Sequence, residues 1–125
     1  MQKPVKIPGA DHPISLAPHV SRVRVTFNGK VVADTTRALA MQEGGYPKVI
    51  YVPRDDADQS LLVRSDHASY CPYKGDASYF SIKVGDRVAE NAIWTYEAPY
   101  DAVAPIKNFL AFYPNRVDAI EETPA

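Results

Sequence analysis

The stretch "SRVRVTFNGKVVAD" limits what this chain can become more than any other. Val23, Val25 and Phe27 alternate with Arg22, Arg24 and Thr26, the period of a strand with one buried face. Asn28-Gly29 then offers the two positive φ angles of a type I′ turn before a second β-branched run begins. A hairpin is expected here, and the rest of the chain follows the same grammar of short apolar runs closed by Pro, Gly or Asp.

"YPKVIYVP" is a β-branched run bounded by Pro47 and Pro53 and reads as a buried strand. Phe80, Ile82 and Val84 alternate with Ser81 and Lys83 before Gly85-Asp86 turns the chain into another hairpin. "NAIWTY" sets Ala92, Trp94 and Tyr96 on one face, and "NFLAFYP" is a last apolar run. "TTRALAMQEG" has helical propensity but is short and lies between strand-like runs, so a strand or irregular strand is favoured. "RDDADQSLL" reads as one helical turn capped by Asp55 or Asp56, and "EAPYDAVAP" is a connection with room for another. Seven or eight short strands with one or two helical turns give a mostly β protein: an antiparallel two-sheet sandwich or partly closed, tent-like barrel.

With 125 residues the chain fits one domain, burying roughly two-thirds of its unfolded surface. Pro4, Pro8, Pro13 and Pro18 make residues 1–20 an extended lead-in; the domain is expected over 21–120, with a tail at 121–125. Fourteen basic against fifteen acidic residues leave a net charge of −1, which argues against nucleic acid and anionic membranes as partners. No run approaches the roughly 20 apolar residues of a membrane-spanning helix. One cysteine and a proline-broken N-terminus lacking an apolar core point to a reducing compartment, most simply the cytoplasm.

That cysteine lies in "SYCPYKGDASYF". Pro72 suits the first position of a turn and Gly75 its close, so Cys71 can be a small hydrophobe at a strand end. The alternative makes Cys71 a nucleophile, which requires a thiolate helped by Lys74 or His67. His67 shares its face but stands about 13 Å away along an unbent strand. A structural zinc site is disfavoured because His12, His19 and His67 are dispersed and no Cys-x-x-Cys unit exists; neither metal nor cofactor is expected. Asp56-x-Asp58 lacks the phosphate-cradling glycine loop that would make it a metal site for phosphoryl transfer.

"FNGKVVADTTRAL", "YPKVIYVPRDDAD", "SDHASYCPYKGDASYFSI", "AIWTYEAP" and "APIKNFLAFYPNRVD", in this order, resemble the bacterial family called domain of unknown function 427. The resemblance spans about residues 22–120, and its most specific string is Cys-Pro-Tyr-Lys-Gly-x-Ala-x-Tyr. It implies a small, mostly β protein without an established activity. The family pattern falls on Tyr51, Pro53, Asp56, Ser65, Cys71, Pro72, Tyr73, Lys74, Gly75, Ala77, Tyr79, Trp94, Tyr96, Ala111, Phe112 and Tyr113. His67 stands where relatives often carry another small polar residue, so a histidine-dependent mechanism is not implied. A nucleotidyltransferase label attached to the family finds no support here, since no Gly-Ser with a paired-aspartate strand and no P-loop occurs. The fold is also similar to the two-sheet tent of zinc-binding and methionine-sulfoxide-reducing domains, without their Cys-x-x-Cys knuckles.

Three functional expectations follow. The first is a binding domain whose pocket, beside residues 71–75, uses Tyr73, Tyr79, Trp94 and Tyr96, with Lys74 and Arg54 selecting a small polar or anionic ligand. The second is an enzyme or redox protein with Cys71 and Lys74 as catalytic residues. The third is an interaction protein, a homodimer through a sheet edge.

Overall fold

The computed structural model describes residues 3–124, and ten strands account for most of them. They are β1 (Ile14–Pro18), β2 (Ser21–Phe27), β3 (Lys30–Thr35), β4 (Leu39–Glu43), β5 (Val49–Val52), β6 (Leu62–Cys71), β7 (Gly75–Val84), β8 (Arg87–Thr95), β9 (Leu110–Phe112) and β10 (Ala119–Pro124). The helical parts are 3-10 turns at Arg54–Asp56, Gln59–Leu61, Asp101–Ile106 and Pro114–Arg116. A seven-stranded antiparallel sheet, ordered β1-β4-β5-β9-β8-β7-β6, is covered on one face by a three-stranded sheet, β10-β2-β3. The fold is the expected two-sheet β architecture, with an open rather than closed larger sheet.

The expected hairpins form. Asn28 and Gly29 take φ of 48° and 78° between β2 and β3, and Gly85 takes 58° between β7 and β8. Val23, Val25 and Phe27 are buried as the alternation requires. The ambiguous "RALAMQE" segment is a strand because β1 and β5 flank β4 and satisfy its backbone, which outweighs its helical propensity.

Several expectations are corrected. Residues 14–18, expected within the extended lead-in, pair with β4, and residues 121–124, expected as a tail, pair with β2 as the end of β10. Neither segment has apolar alternation strong enough to mark it; the neighbouring strands supply the order. "RDDADQSLL" makes two turns, and the capping side chain is Asp58, which accepts from the Ser60 backbone N–H at 3.1 Å. Asp56 instead accepts from Thr35 Oγ1 at 2.6 Å and from Arg37 at 2.9 Å. Ala92 does not share a face with Trp94 and Tyr96: β8 carries extra residues opposite the Phe80–Ile82 step of β7, and Asn91 there has φ of 51°. That bulge breaks the alternation.

Both faces of the larger sheet are buried. Val52, Ile82, Ile93, Leu110 and Phe112 meet Val25, Phe27 and Val32 of the smaller sheet. Tyr51 and Ala111, their neighbours in sequence, point the other way and pack with Tyr79, Tyr96, Met41, Val103 and Ile106, and the half-buried Trp94 packs against this second cluster. Among the described residues, no helix is long and apolar enough to cross a membrane.

Candidate functional site

The turn after β6 positions the site. The Lys74 N–H donates to the Cys71 carbonyl at 3.1 Å, closing a β-turn over Pro72 and Tyr73. Gly75 leaves it with φ of 110°, and a Cβ there would meet the Ala98 carbonyl at 3.4 Å. Two flanking segments clamp this turn: the Lys6 N–H donates to the Pro72 carbonyl at 2.9 Å and the Tyr100 N–H to the Lys74 carbonyl at 3.0 Å. Cys71 is thus a half-buried strand end that packs against the tyrosine cluster.

Lys74 turns inward. Its ammonium donates to Glu43 Oε1 at 2.5 Å, and both side chains are largely enclosed, 13% and 17% exposed. The other carboxylate oxygen, Oε2, is 2.6 Å from His12 Nε2. Burial alone would push the Glu43 carboxyl up, but the bonds from Lys74 and His12 outweigh it and hold the group below its usual range. The His12 ring lies flat on Tyr73 at 3.9 Å and 5°.

Beside this pair, register builds an aromatic row across four strands. Tyr51 of β5 faces Ala111 of β9, Ala111 faces Trp94 of β8, and Trp94 faces Tyr79 of β7. Tyr79 shares a 2.8 Å hydroxyl bond with Ser69 and receives the edge of His67 at 4.4 Å. Trp94 also leans on Tyr113 at 4.5 Å. Burial pushes the Tyr51 hydroxyl up to about 12 and raises Tyr96 further, so both stay neutral near neutral pH.

Trp94 and Glu43 also border a cavity of about 710 Å³ at the start of β5. Val23, Val25 and Ile120 of the smaller sheet and Ile50, Val52 and Phe112 of the larger one form its apolar walls. Tyr46, Pro47, Lys48, Val49, Pro114 and Glu122 complete its lining.

The fold packs Cys71, Tyr79, Trp94 and Tyr96 in one cluster, with Lys74 on Glu43 and Tyr73 on His12 beside it, and sends Arg54 elsewhere; of these residues Trp94 alone lines the cavity. Arg54 contacts Thr95 Oγ1 at 3.3 Å and Phe80 at 5.4 Å, on the opposite face of the larger sheet. Strand alternation is the reason: Phe80 and Thr95 are immediate neighbours of Tyr79, Trp94 and Tyr96, so they face away. Sequence reasoning missed Glu43 and His12, whose roles arise from contacts 31 residues distant in each case. The histidines stay apart, with His19 on Glu122 and His67 on Tyr79.

Fold and site together define a small two-sheet β protein with a tyrosine-lined face and an apolar cavity between its sheets. The chain belongs to the family described as a domain of unknown function, DUF427, whose model matches residues 15–123, the family that the Cys-Pro-Tyr-Lys-Gly string pointed to. No curated protein matches it.

Proposed function

We propose that this protein is a small-molecule binding domain whose ligand places an apolar body between the sheets and a polar end at the rim. The cavity beside Trp94 and Glu43 carries this reading: its volume, about 710 Å³, is that of a site for a compact organic molecule. Lys48, exposed at the rim, is the cation available to an acidic end of the ligand. Lys74 is less suited to that role because Glu43 already pairs with it. The same pairing commits Lys74 away from the helper role that the catalytic reading of Cys71 gave it. The edge strand β6 is bulged between Arg64 and Ala68, which opposes homodimer pairing through that edge. The cytoplasm remains the proposed location, on the ground of the single cysteine.

Trp94, the only tryptophan, lets the binding be read directly. Titration with 1-anilinonaphthalene-8-sulfonate is expected to quench Trp94 saturably, and Ile50→Phe, which fills the cavity, is expected to abolish the effect with the circular dichroism unchanged. Quenching that does not saturate, or that survives Ile50→Phe, would sink the proposal.

A further inference from the structure

We infer a second binding site, for the phosphate group of a small phosphorylated molecule, in the cleft that Arg37, Arg54, Lys107, Asn108 and Phe109 form at the far end of β5. This cleft of about 400 Å³ shares no lining residue with the cavity between the sheets. It sits where Pro53 leaves β5 and Phe109 enters β9.

Arg54 is the central observation. Its side chain is only 28% exposed, and among the described residues its Nε is enclosed without a hydrogen-bond partner. The terminal nitrogens make long contacts, 3.3 Å to Thr95 Oγ1 and 3.5 Å to Glu97 Oε2. Glu97 is held more closely by Arg64, at 2.6 and 3.1 Å, and this pairing is the first cause keeping its carboxyl low, at about 2. Thr95 spends its own proton on the Phe109 carbonyl at 2.7 Å. The guanidinium is thus ordered by its surroundings yet incompletely paired, whereas enclosed polar groups are normally satisfied.

Two more cations face the same cleft. Lys107 is exposed and has no ion pair among the described residues, and Arg37 shares the wall while bonded to Asp56. Asp55 is the one carboxylate in the lining, and it is exposed. The incompletely paired Arg54 guanidinium and the free Lys107 ammonium, with Arg37 at the wall committed to Asp56, suit a dianion with several oxygens better than a single carboxylate. Phe109 supplies an apolar wall for whatever the phosphate is attached to, and the exposed Asn108 side chain adds an amide at the rim.

The test is a nuclear magnetic resonance titration of the full chain with phenyl phosphate, with benzoate as the carboxylate control. Phenyl phosphate is expected to shift the Arg54 Nε–Hε signal and the Asn108 and Phe109 amides saturably at millimolar concentration, and benzoate to bind far more weakly. Lys107→Gln is expected to weaken binding about threefold, and Asp55→Asn to strengthen it about threefold, as suits exposed charges. Absence of a saturable Arg54 shift, equal affinity for benzoate, or indifference to both substitutions would overturn the inference. Since the cavity between the sheets shares none of these residues, its occupancy, read through Trp94, is a separate outcome.

Discussion

Tyr51 and Trp94 meet edge to face, with centroids 6.5 Å apart at 83°, across the methyl group of Ala111. The two rings belong to strands that are not neighbours, and only a small residue on the intervening β9 lets them approach. Ala111 is fully buried, so Ala111→Leu would force extra volume between them. A loss of about 2 kcal/mol in urea unfolding and a changed Trp94 emission spectrum are expected. Unaltered stability would mean that the row has slack that the geometry does not show.

Tyr51 also sets an alkaline limit. Its hydroxyl is pushed up to about 12 from 10 by burial, so the folded state resists ionisation. The resulting stability is fully present below pH 10, the unfolded value, and disappears as the pH rises toward 12. The contribution is on the order of 2 kcal/mol, and Tyr51→Phe is expected to flatten the fall in stability measured across that window.

The Lys74–Glu43 pair is the acid-side counterpart. The Glu43 carboxyl is held below its ordinary value of 4.5, so its stabilisation is present above that pH and is lost as the pH falls through the folded value. Lys74→Met is expected to cost about 2 kcal/mol at neutral pH, less than a fully buried pair because water still reaches both groups. The same variant should lessen the loss of stability on acidification, as followed by circular dichroism.

Gly75 tests the turn itself. With φ of 110°, Gly75→Ala puts a side chain on strained backbone, while the Ala98 carbonyl, 3.4 Å from a prospective Cβ, stands at ordinary contact distance. A loss of about 1–3 kcal/mol is expected in thermal unfolding. A neutral result would show that the 71–75 loop can readjust.

Cys71 should behave as a packed strand end. Labelling by a small thiol reagent is expected to be slow in the native protein and to accelerate on unfolding, with Lys74→Met giving no further slowing beyond what its lower stability explains. Fast native labelling that depends on Lys74 would return Cys71 to the catalytic reading.

Local chemistry made the β class legible. Asn28-Gly29 and Gly85-Asp86 supply turn angles that few other residues tolerate, and the runs around them alternate with period two, so the two central hairpins need no partner to be foreseen. That Cys71, Lys74, Tyr79 and Trp94 lie on a hairpin and its neighbouring strand was also legible, because they occupy a short stretch of chain, whereas the cavity that Trp94 alone of them lines was not. What the sequence could not convey depends on contacts between distant segments. β1 and β10 are strands because β4 and β2 offer hydrogen bonds to them, and the bulge at Asn91 shifts Ala92 off the face of Trp94. Arg54 looked like a companion of Lys74, but strand alternation put the two on opposite faces, while Glu43 and His12 reached Lys74 and Tyr73 across the sheet. Turn angles and apolar period are properties of adjacent residues; which charges meet is fixed only when register and sheet order bring separate strands together.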